Sequence, residues 1–194
     1  VAGPLDGPLV LLLHGFPDLA STWDDVLPGL AAAGFRAIAP DLRGYGRTDR
    51  PTTGYDLDTL AADIAGLIEA SGRSRAHVVG HDWGALVAYH LAATRPERVD
   101  RLAIVNGPHP IDFLQRVWRP RQLLRSWYTL FFQLPWLPER WIAKDGGAVV
   151  RKTFKRFVRD RTRLTDERLD RYARAMSTTE AARAGLAYYR ALFR

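Results

Sequence analysis

The sequence predicts an α/β fold, a parallel sheet with helices on both faces, followed by a helical cap. In the first 110 residues, short apolar runs such as 10–13 and 76–79 alternate with helical patterns such as 57–70. This alternation is typical of parallel strands joined by right-handed crossovers. From residue 111 onward the chain is Arg-rich, aromatic and helical in pattern, with no further clear strand. We therefore predict a core over residues 1–110 and a helical cap over residues 111–194.

Composition restricts the class of protein. The chain has 194 residues, of which 47% are hydrophobic, which suits one globular domain with a real core. It lacks a run long enough to span a membrane, and it contains no Cys for disulfides or thiolate metal sites. We predict a cytoplasmic protein without a metal or a cofactor.

Charge divides the chain at the same place. Residues 1–110 hold 9 Arg and 13 acids, a net charge of −4, whereas residues 111–194 hold 19 basic and 8 acidic residues, a net charge of +11. Because arginines such as Arg156 and Arg163 are mixed with acids and apolar residues at helical spacing, we interpret this region as a solvated helical face. We expect no nucleic-acid partner and no membrane partner.

The first elements follow from apolar runs and their stop signals. Residues 10–13 form a continuous apolar run that predicts a fully buried parallel strand, and His14 after it is expected to fix the exit loop by hydrogen bonds. A helix is predicted from Ser21 to residue 33, and residues 35–40 form the next strand.

The next elements include a loop and two further strands. In the glycine-punctuated loop over residues 41–48, Asp41 and Arg43 brace the loop. Apolar residues recur at helical spacing over residues 57–70. A strand over 76–79, a helix over 85–94 and a buried strand over 102–105 complete the predicted core.

The organising stretch is Gly80-His81-Asp82-Trp83-Gly84. Small residues two positions before and after a nucleophile are the spacing of a sharp strand-to-helix turn, where flanking side chains would collide. Asp82 stands where most such turns carry Ser. A carboxylate is already an anion at neutral pH, and it can displace a leaving group from a saturated carbon. We expect the N–H groups at the start of the next helix to keep Asp82 ionised.

Two further groups are predicted around Asp82. The backbone N–H groups of Phe16 and Trp83 are expected to form an oxyanion hole, since such holes use the residue after the nucleophile and a loop after an earlier strand. Aromatic residues concentrate early in the predicted cap and give it an apolar wall. The predicted substrate-pocket residues are Trp83, Trp127, Phe131 and Phe132.

These residues resemble the α/β-hydrolase fold and, within it, the epoxide hydrolases. The resemblance lies in three core motifs, residues 14–17, 41–46 and 80–84, which occur in the family's order and spacing. Residues 128–135 resemble the cap segment that bears one of two tyrosines pointing at the epoxide oxygen. The resemblance implies that Tyr128 and Tyr189 are these tyrosines and that the substrate is a small apolar epoxide.

Two alternatives to an epoxide hydrolase stay open. A haloalkane or haloacid dehalogenase uses the same Asp nucleophile, and the ring N–H of Trp83 suits halide binding. A covalent binder without turnover is the second alternative, because the family's relay acid and His are expected after the cap and the last His here is His109. We therefore expect a segment, truncated at both ends, of a longer protein of roughly 280 to 330 residues with bare edge strands. Association as a homodimer is left open.

Overall fold

The computed structural model describes residues 1–111, 115, 119, 122, 124 and 126–193. The strands and helices, in chain order, are β1 (Leu9–Leu13), α1 (Leu27–Ala32), β2 (Arg36–Ile38), α2 (Leu57–Ala70), β3 (Ala76–His81), α3 (Trp83–Thr94), β4 (Val99–Val105), α4 (Trp127–Phe131), α5 (Leu137–Phe157), α6 (Asp166–Ala175) and α7 (Thr179–Ala191), with 3₁₀ turns at Ala20–Trp23, Pro96–Arg98 and Arg161–Arg163. Among the described residues, no helix combines the length and the apolar character needed to cross a bilayer.

The four strands form one parallel sheet in the order β2-β1-β3-β4. Leu11 of β1 lies between Ile38 of β2 and Val78 of β3, and Val78 also pairs with Leu102 of β4. The carboxyl ends of the two central strands, β1 and β3, are therefore neighbours. Loops that follow these two strands meet at one edge of the sheet, where ligands of such folds bind.

Alternate side chains of β1 point to opposite faces of the sheet, and helices cover both faces. Leu11 and Leu13 pack into a cluster that includes residues of α2 and α3. Val10 and Leu12 pack on the other face with Trp23, beside residues of α1. Full burial of each such Leu or Val contributes about 1.5–3 kcal/mol. The predicted parallel sheet with helices on both faces is confirmed.

The edge strands of this sheet are β2 and β4, as predicted. The outer side of β2 forms one antiparallel bridge, in which the N–H and C=O of Ala2 pair with Ala37. The prediction of a buried strand over residues 102–105 was wrong. Leu102 is half-buried, whereas Ala103 and Val105 are exposed, because α3 covers only one face of β4.

The single helix predicted from Ser21 to residue 33 was also wrong. The chain forms a 3₁₀ turn over Ala20–Trp23, which buries Trp23 beneath the sheet, and a separate helix α1 begins at Leu27. Pro28 lies in the first turn of α1, where its missing N–H costs nothing, whereas inside a longer helix it would break a hydrogen bond. The proline therefore sets the start of a second helix.

The C-terminal helices pack on one another and on the loop after β1. Helix α5 is interrupted at Lys144–Gly147, and a Cβ on Gly147 would overlap the backbone of Ala173 in α6. On the other side of α6, Arg168 makes two hydrogen bonds, of 2.6 and 2.8 Å, to the carboxylate of Asp25. The division at residue 110 and the assignment of these helices as a cap stay predictions.

Close backbone packing holds β3 and α3 against β1. A Cβ on Gly84 would overlap the carbonyl oxygens of Leu13 and His14, and a Cβ on Gly80 would overlap the backbone of Gly84. Any side chain at either position would push the helix away from the strand, as the spacing of the two glycines predicts.

We predict that Gly84→Ala lowers the free energy of unfolding by about 1–3 kcal/mol, because backbone atoms cannot move aside as a flexible side chain would. The matched control is Gly66→Ala in α2, where an added methyl group meets nothing within 4 Å. This second change should raise stability by about 0.5–1 kcal/mol through helix propensity alone. Urea unfolding of the three proteins measures both effects, and equal shifts in the two variants would contradict the packing argument.

A buried carboxyl group lies in the loop after β1. Asp18 is almost fully buried, and its Oδ1 accepts a hydrogen bond of 2.9 Å from the N–H of Leu19. Burial raises the pKa of Asp18 to about 7, although the bonds from Leu19 and Thr22 oppose the rise. The folded protein therefore retains the Asp18 proton across a pH range in which the unfolded chain releases it.

This difference in pKa predicts how stability depends on pH. Between about pH 4 and pH 7 the unfolded chain gains stability by ionising Asp18 while the folded protein does not, so rising pH favours unfolding. Relative to Asp18→Asn, the wild type should lose up to about 4 kcal/mol of unfolding free energy across this window. Urea unfolding of both proteins at several pH values gives the comparison. Parallel curves would show that burial leaves the Asp18 pKa unchanged.

Candidate active site

Asp82 occupies the turn between β3 and α3. Strand β3 ends at His81 and helix α3 begins at Trp83, and Asp82 between them has φ 51° and ψ −117°. A non-glycine residue in this conformation costs of order 1–3 kcal/mol, and such residues concentrate at functional sites. The structure thus places Asp82 at the sharp turn that the glycine spacing predicts.

The loop after β1 approaches the Asp82 side chain closely. A Cβ on Gly15 would lie 2.5 Å from Oδ1 of Asp82, so a glycine is required at this position. The next residue, Phe16, donates its backbone N–H to Oδ1 at 2.8 Å. The backbone N–H of Trp83 lowers the pKa of the same carboxyl. Both N–H groups predicted for the oxyanion hole therefore act on Asp82 itself.

Opposing effects set the electrostatics at Asp82. Burial raises the pKa of the Asp82 carboxyl, because a charged group loses its hydration in the interior. Hydrogen bonds from Phe16 and Trp83, and the nearby His81, oppose this rise without cancelling it. The Trp83 N–H at the start of α3 lowers the Asp82 pKa, as expected of a helix N-terminus, but desolvation is the larger effect, so the expectation that these N–H groups keep Asp82 ionised stays a prediction.

The two predicted tyrosines lie next to each other. The rings of Tyr128 and Tyr189 are 6.1 Å apart between centroids and nearly perpendicular; Tyr189 is 7% exposed and Tyr128 is 39% exposed. Burial raises the pKa of both phenols, and the negative charge of Asp82 raises each pKa further. Both tyrosines therefore keep their protons and can donate hydrogen bonds.

The Trp83 side chain lies against Tyr189, with the two ring centroids 5.0 Å apart. Trp83 lowers the pKa of Tyr189, although burial raises it more. The indole that the sequence offers as a halide-binding group therefore packs against Tyr189 in this structure.

The predicted pocket residues separate into two groups. The rings of Trp83 and Phe132 each lie 5.0 Å from the ring of Tyr189. Phe131 contacts Phe132 with centroids 6.1 Å apart, and Trp127, which is 57% exposed, contacts Phe131 at 5.9 Å. Trp83 and Phe132 thus surround the phenol, whereas Trp127 lies toward the outer surface.

Two clefts formed by described residues lie elsewhere. One, of about 350 Å³, lies between the loop after β2 and helix α2 and is lined by Asp41, Arg43 and Asp63 among others. The other, of about 380 Å³, lies beside Trp136 and Arg183. Neither is lined by Asp82 or the two tyrosines. The clefts therefore do not define the space into which a substrate of Asp82 would enter.

His14 has the structural role that the sequence predicts. Its Nε2 accepts a hydrogen bond of 2.9 Å from the N–H of Leu42, and its Nδ1 donates to the carbonyl oxygen of Gly15 at 2.9 Å. Burial lowers the pKa of His14 to about 4, so the ring is neutral. Asp41 likewise braces the loop, since its Oδ1 accepts the N–H of Ala20 at 3.0 Å.

A metal site needs several ligand side chains that lie close together. Within the described residues, no three His, Asp or Glu side chains come together as ligands of one ion. The chemistry available at Asp82 therefore comes from its carboxylate, two backbone N–H groups and two phenols.

Sequence reasoning missed two residues near this site. Asp18 directly follows the motif at residues 14–17. Its place next to that motif was the only sign in the sequence of its buried position. Arg190 follows Tyr189 and makes three hydrogen bonds to residues 132–139. No local pattern distinguishes Arg190 from the other arginines of the C-terminal region, so nothing in the sequence could have singled it out.

Comparison with known proteins identifies the fold family of the chain. The sequence model of one family, described as the alpha/beta hydrolase fold, matches residues 8–177. A Bacillus subtilis protein named AB hydrolase superfamily protein YfhM is 43% identical over 98% of the chain, and human Epoxide hydrolase 4 is 38% identical over 99%. The crystal structure of an epoxide hydrolase from Bacillus megaterium superposes with a TM-score of 0.87 at 31% identity, over 98% of the chain.

The chain spans only part of each of these proteins: 68% of the Bacillus subtilis protein, 55% of the human protein and 66% of the Bacillus megaterium chain. The match nevertheless extends over almost all of the present sequence, at identities above 30% and with the same fold. The chain belongs to the α/β-hydrolase fold family, in the branch that contains the epoxide hydrolases.

Proposed function

We propose that this chain opens epoxides, with Asp82 as the nucleophile and with Tyr128 and Tyr189 as proton donors beneath a cap formed by the C-terminal helices. The observation that carries the proposal is the contact between the rings of Tyr128 and Tyr189, 6.1 Å apart between centroids, beside a carboxylate near enough for its charge to raise the pKa of both phenols. Relatives of the chain include proteins named epoxide hydrolases. The substrate class is a small apolar epoxide, in keeping with the aromatic residues around Tyr189.

The first step forms an ester between the protein and the substrate. Oδ1 of Asp82 already accepts the N–H of Phe16, so Oδ2 is the oxygen that forms a bond to a ring carbon of the epoxide. The carbon–oxygen bond of the ring breaks, and the oxygen takes a proton from a phenol, which recovers one from water. Two O–H donors stabilise the growing negative charge more than they stabilise the neutral epoxide, and this difference accelerates the reaction.

The second step releases a vicinal diol. Water attacks the carbonyl carbon of the Asp82 ester, and the negative charge moves onto Oδ1, which the N–H of Phe16 contacts. The bond between this carbon and Oδ2 then breaks, so the diol leaves with Oδ2 and a proton taken from the attacking water, and Asp82 regains a second oxygen from that water and releases its remaining proton. This step needs a base for the attacking water. His14 and His90 are bonded to the Leu42 N–H and to Asp58 respectively, so we assign the base to neither.

Two other reactions use the same nucleophile. A dehalogenase would release a halide, which leaves without a proton and so would not need the two phenols, and the Trp83 ring that could bind the halide packs against Tyr189. A covalent binder would form the same ester as an epoxide hydrolase and retain it. These alternatives differ in products, so one experiment separates all three.

We expect exposure to styrene oxide to give either one covalent adduct on Asp82, seen by intact mass and peptide mapping, or the corresponding diol. Asp82→Asn should give neither, because an amide is a far weaker nucleophile than a carboxylate. The surface variant Asp24→Asn should react like the wild type. The rate should fall as pH is lowered through the raised pKa of Asp82, since only the ionised form attacks.

Three results would reject parts of this proposal. Absence of both adduct and diol in the wild type would exclude epoxide opening. An adduct from a chloroalkane, but not from styrene oxide, would instead indicate a dehalogenase. A stable adduct without any diol would support covalent capture and exclude turnover by this chain.

The tyrosines can be tested separately from the nucleophile. Tyr128→Phe and Tyr189→Phe should each lower the rate of reaction with styrene oxide by about 10²–10³, the effect typical of losing one preorganised donor. Tyr188→Phe is the matched control, because the Tyr188 hydroxyl donates to the carbonyl oxygen of Arg43 at 2.8 Å and is therefore not directed at Asp82. It should cost about 1 kcal/mol of stability and leave the rate unchanged. Equal rates for Tyr188→Phe and Tyr189→Phe would contradict the assigned donors.

A further inference from the structure

The two phenols belong to different helices, so their separation depends on how α4 and α7 are joined. Both rings contact the ring of Phe132, at 5.5 Å for Tyr128 and 5.0 Å for Tyr189. Contacts between apolar ring surfaces are largely non-directional, so they allow the helices to slide or rotate by small amounts. A fixed distance between two hydroxyl groups needs directional bonds between the two segments.

Arg190 provides such bonds from the residue next to Tyr189. Its Nε donates to the carbonyl oxygen of Phe132 at 2.9 Å, Nη2 donates to that of Leu134 at 2.7 Å, and Nη1 donates to Oε1 of Glu139 at 2.7 Å. The guanidinium is planar and rigid, so three bonds in different directions fix both its position and its orientation. Glu139 is buried and Arg190 is mostly shielded, which limits competition from water.

Gln133, in the turn after α4, joins the same two segments from the other side. Its Nε2 donates to the carbonyl oxygen of Tyr189 at 3.2 Å and to that of Thr129 at 3.0 Å. One amide group therefore bridges the backbone of one tyrosine and the residue that follows the other. Together, Arg190 and Gln133 make three bonds that reach across from one tyrosine-bearing segment to the backbone of the other.

We propose that Arg190 and Gln133 are positioning residues, which hold the hydroxyls of Tyr128 and Tyr189 at the separation needed to donate to one epoxide oxygen together. Neither residue contacts the reacting atoms; each acts through the backbone of the tyrosine-bearing segments. This inference rests on the epoxide opening proposed above.

Misplacing the two phenols should affect only a reaction whose leaving group needs a proton. When Asp82 attacks an epoxide, the ring oxygen must receive a hydrogen bond and then a proton from a phenol as the carbon–oxygen bond breaks. When Asp82 attacks an alkyl bromide, the same carbon–oxygen ester bond forms, the carbon–bromine bond breaks, and bromide leaves with the electron pair and without a proton. Misplaced phenols should therefore slow the first reaction and leave the second unchanged.

The test compares the rates at which styrene oxide and an alkyl bromide of the same carbon skeleton modify Asp82, measured by intact mass on the whole chain. Arg190→Lys keeps a positive charge beside Glu139 but replaces the rigid fork with a single ammonium group. We expect its rate with the epoxide to fall by about tenfold to a hundredfold, as small misplacements of reacting groups typically do. Its rate with the bromide should stay within about twofold of the wild type.

Two further variants make the result decisive. Gln133→Met removes both amide bonds at similar side-chain volume, should show the same selective loss, and carries the test alone if Arg190→Lys does not fold. Arg168→Lys is the matched control, because it weakens the bidentate pair with Asp25 far from the phenols and should leave both rates within about twofold. Equal losses with both reagents, or no loss with either, would overturn the positioning role. Lack of epoxide reaction in the wild type would instead reject the proposed function.

Discussion

The site depends on how closely three stretches of backbone approach one another. Gly84 lies against the carbonyl oxygens of Leu13 and His14, Gly80 lies against the start of α3, and Gly15 lies against the Asp82 side chain. These contacts hold the turn between β3 and α3 beside the loop after β1. They also maintain the strained backbone of Asp82, because relaxing its φ angle would require the helix to move. The N–H of Phe16 can reach Oδ1 of Asp82 only because the loop after β1 lies so close to the turn between β3 and α3.

The second constraint is the helical region that encloses the carboxylate. Asp82 lies near Tyr189, whose pKa its charge raises, and loss of hydration raises the Asp82 pKa more than the two backbone donors lower it. The same enclosure keeps the phenols protonated. The same packing therefore disfavours the charge on Asp82 and keeps the two phenols available as hydrogen-bond donors. A carboxylate with full hydration would be easier to ionise but would attack less readily, since desolvation strengthens its interaction with an electrophile.

The sequence predicted those parts of the structure that depend on interactions between residues close together in the chain. The spacing of Gly80 and Gly84 predicted the turn at Asp82 because the steric conflict at Gly80 lies within five residues, although the conflict at Gly84 is with the end of β1. The exposure of β4 could not be predicted, since it depends on what packs beside the strand. The direction of the Asp82 pKa shift depends on burial in the folded chain, which the residues next to Asp82 in the sequence do not encode. The bonds of Arg190 join positions 51 to 58 residues apart, without any periodic trace in the sequence.

The raised pKa values of the two phenols fit the proposed reaction because the charge that raises them moves during that reaction. Before attack, part of the rise at Tyr128 and Tyr189 comes from the negative charge on Asp82. In the proposed reaction, that charge leaves the carboxylate as the ester bond forms and accumulates on the epoxide oxygen, the acceptor proposed for both phenols. The interaction that made each tyrosine a weak acid disappears, and a new acceptor appears at the same moment. The donors therefore strengthen in step with the charge they stabilise, which favours the transition state over the bound epoxide.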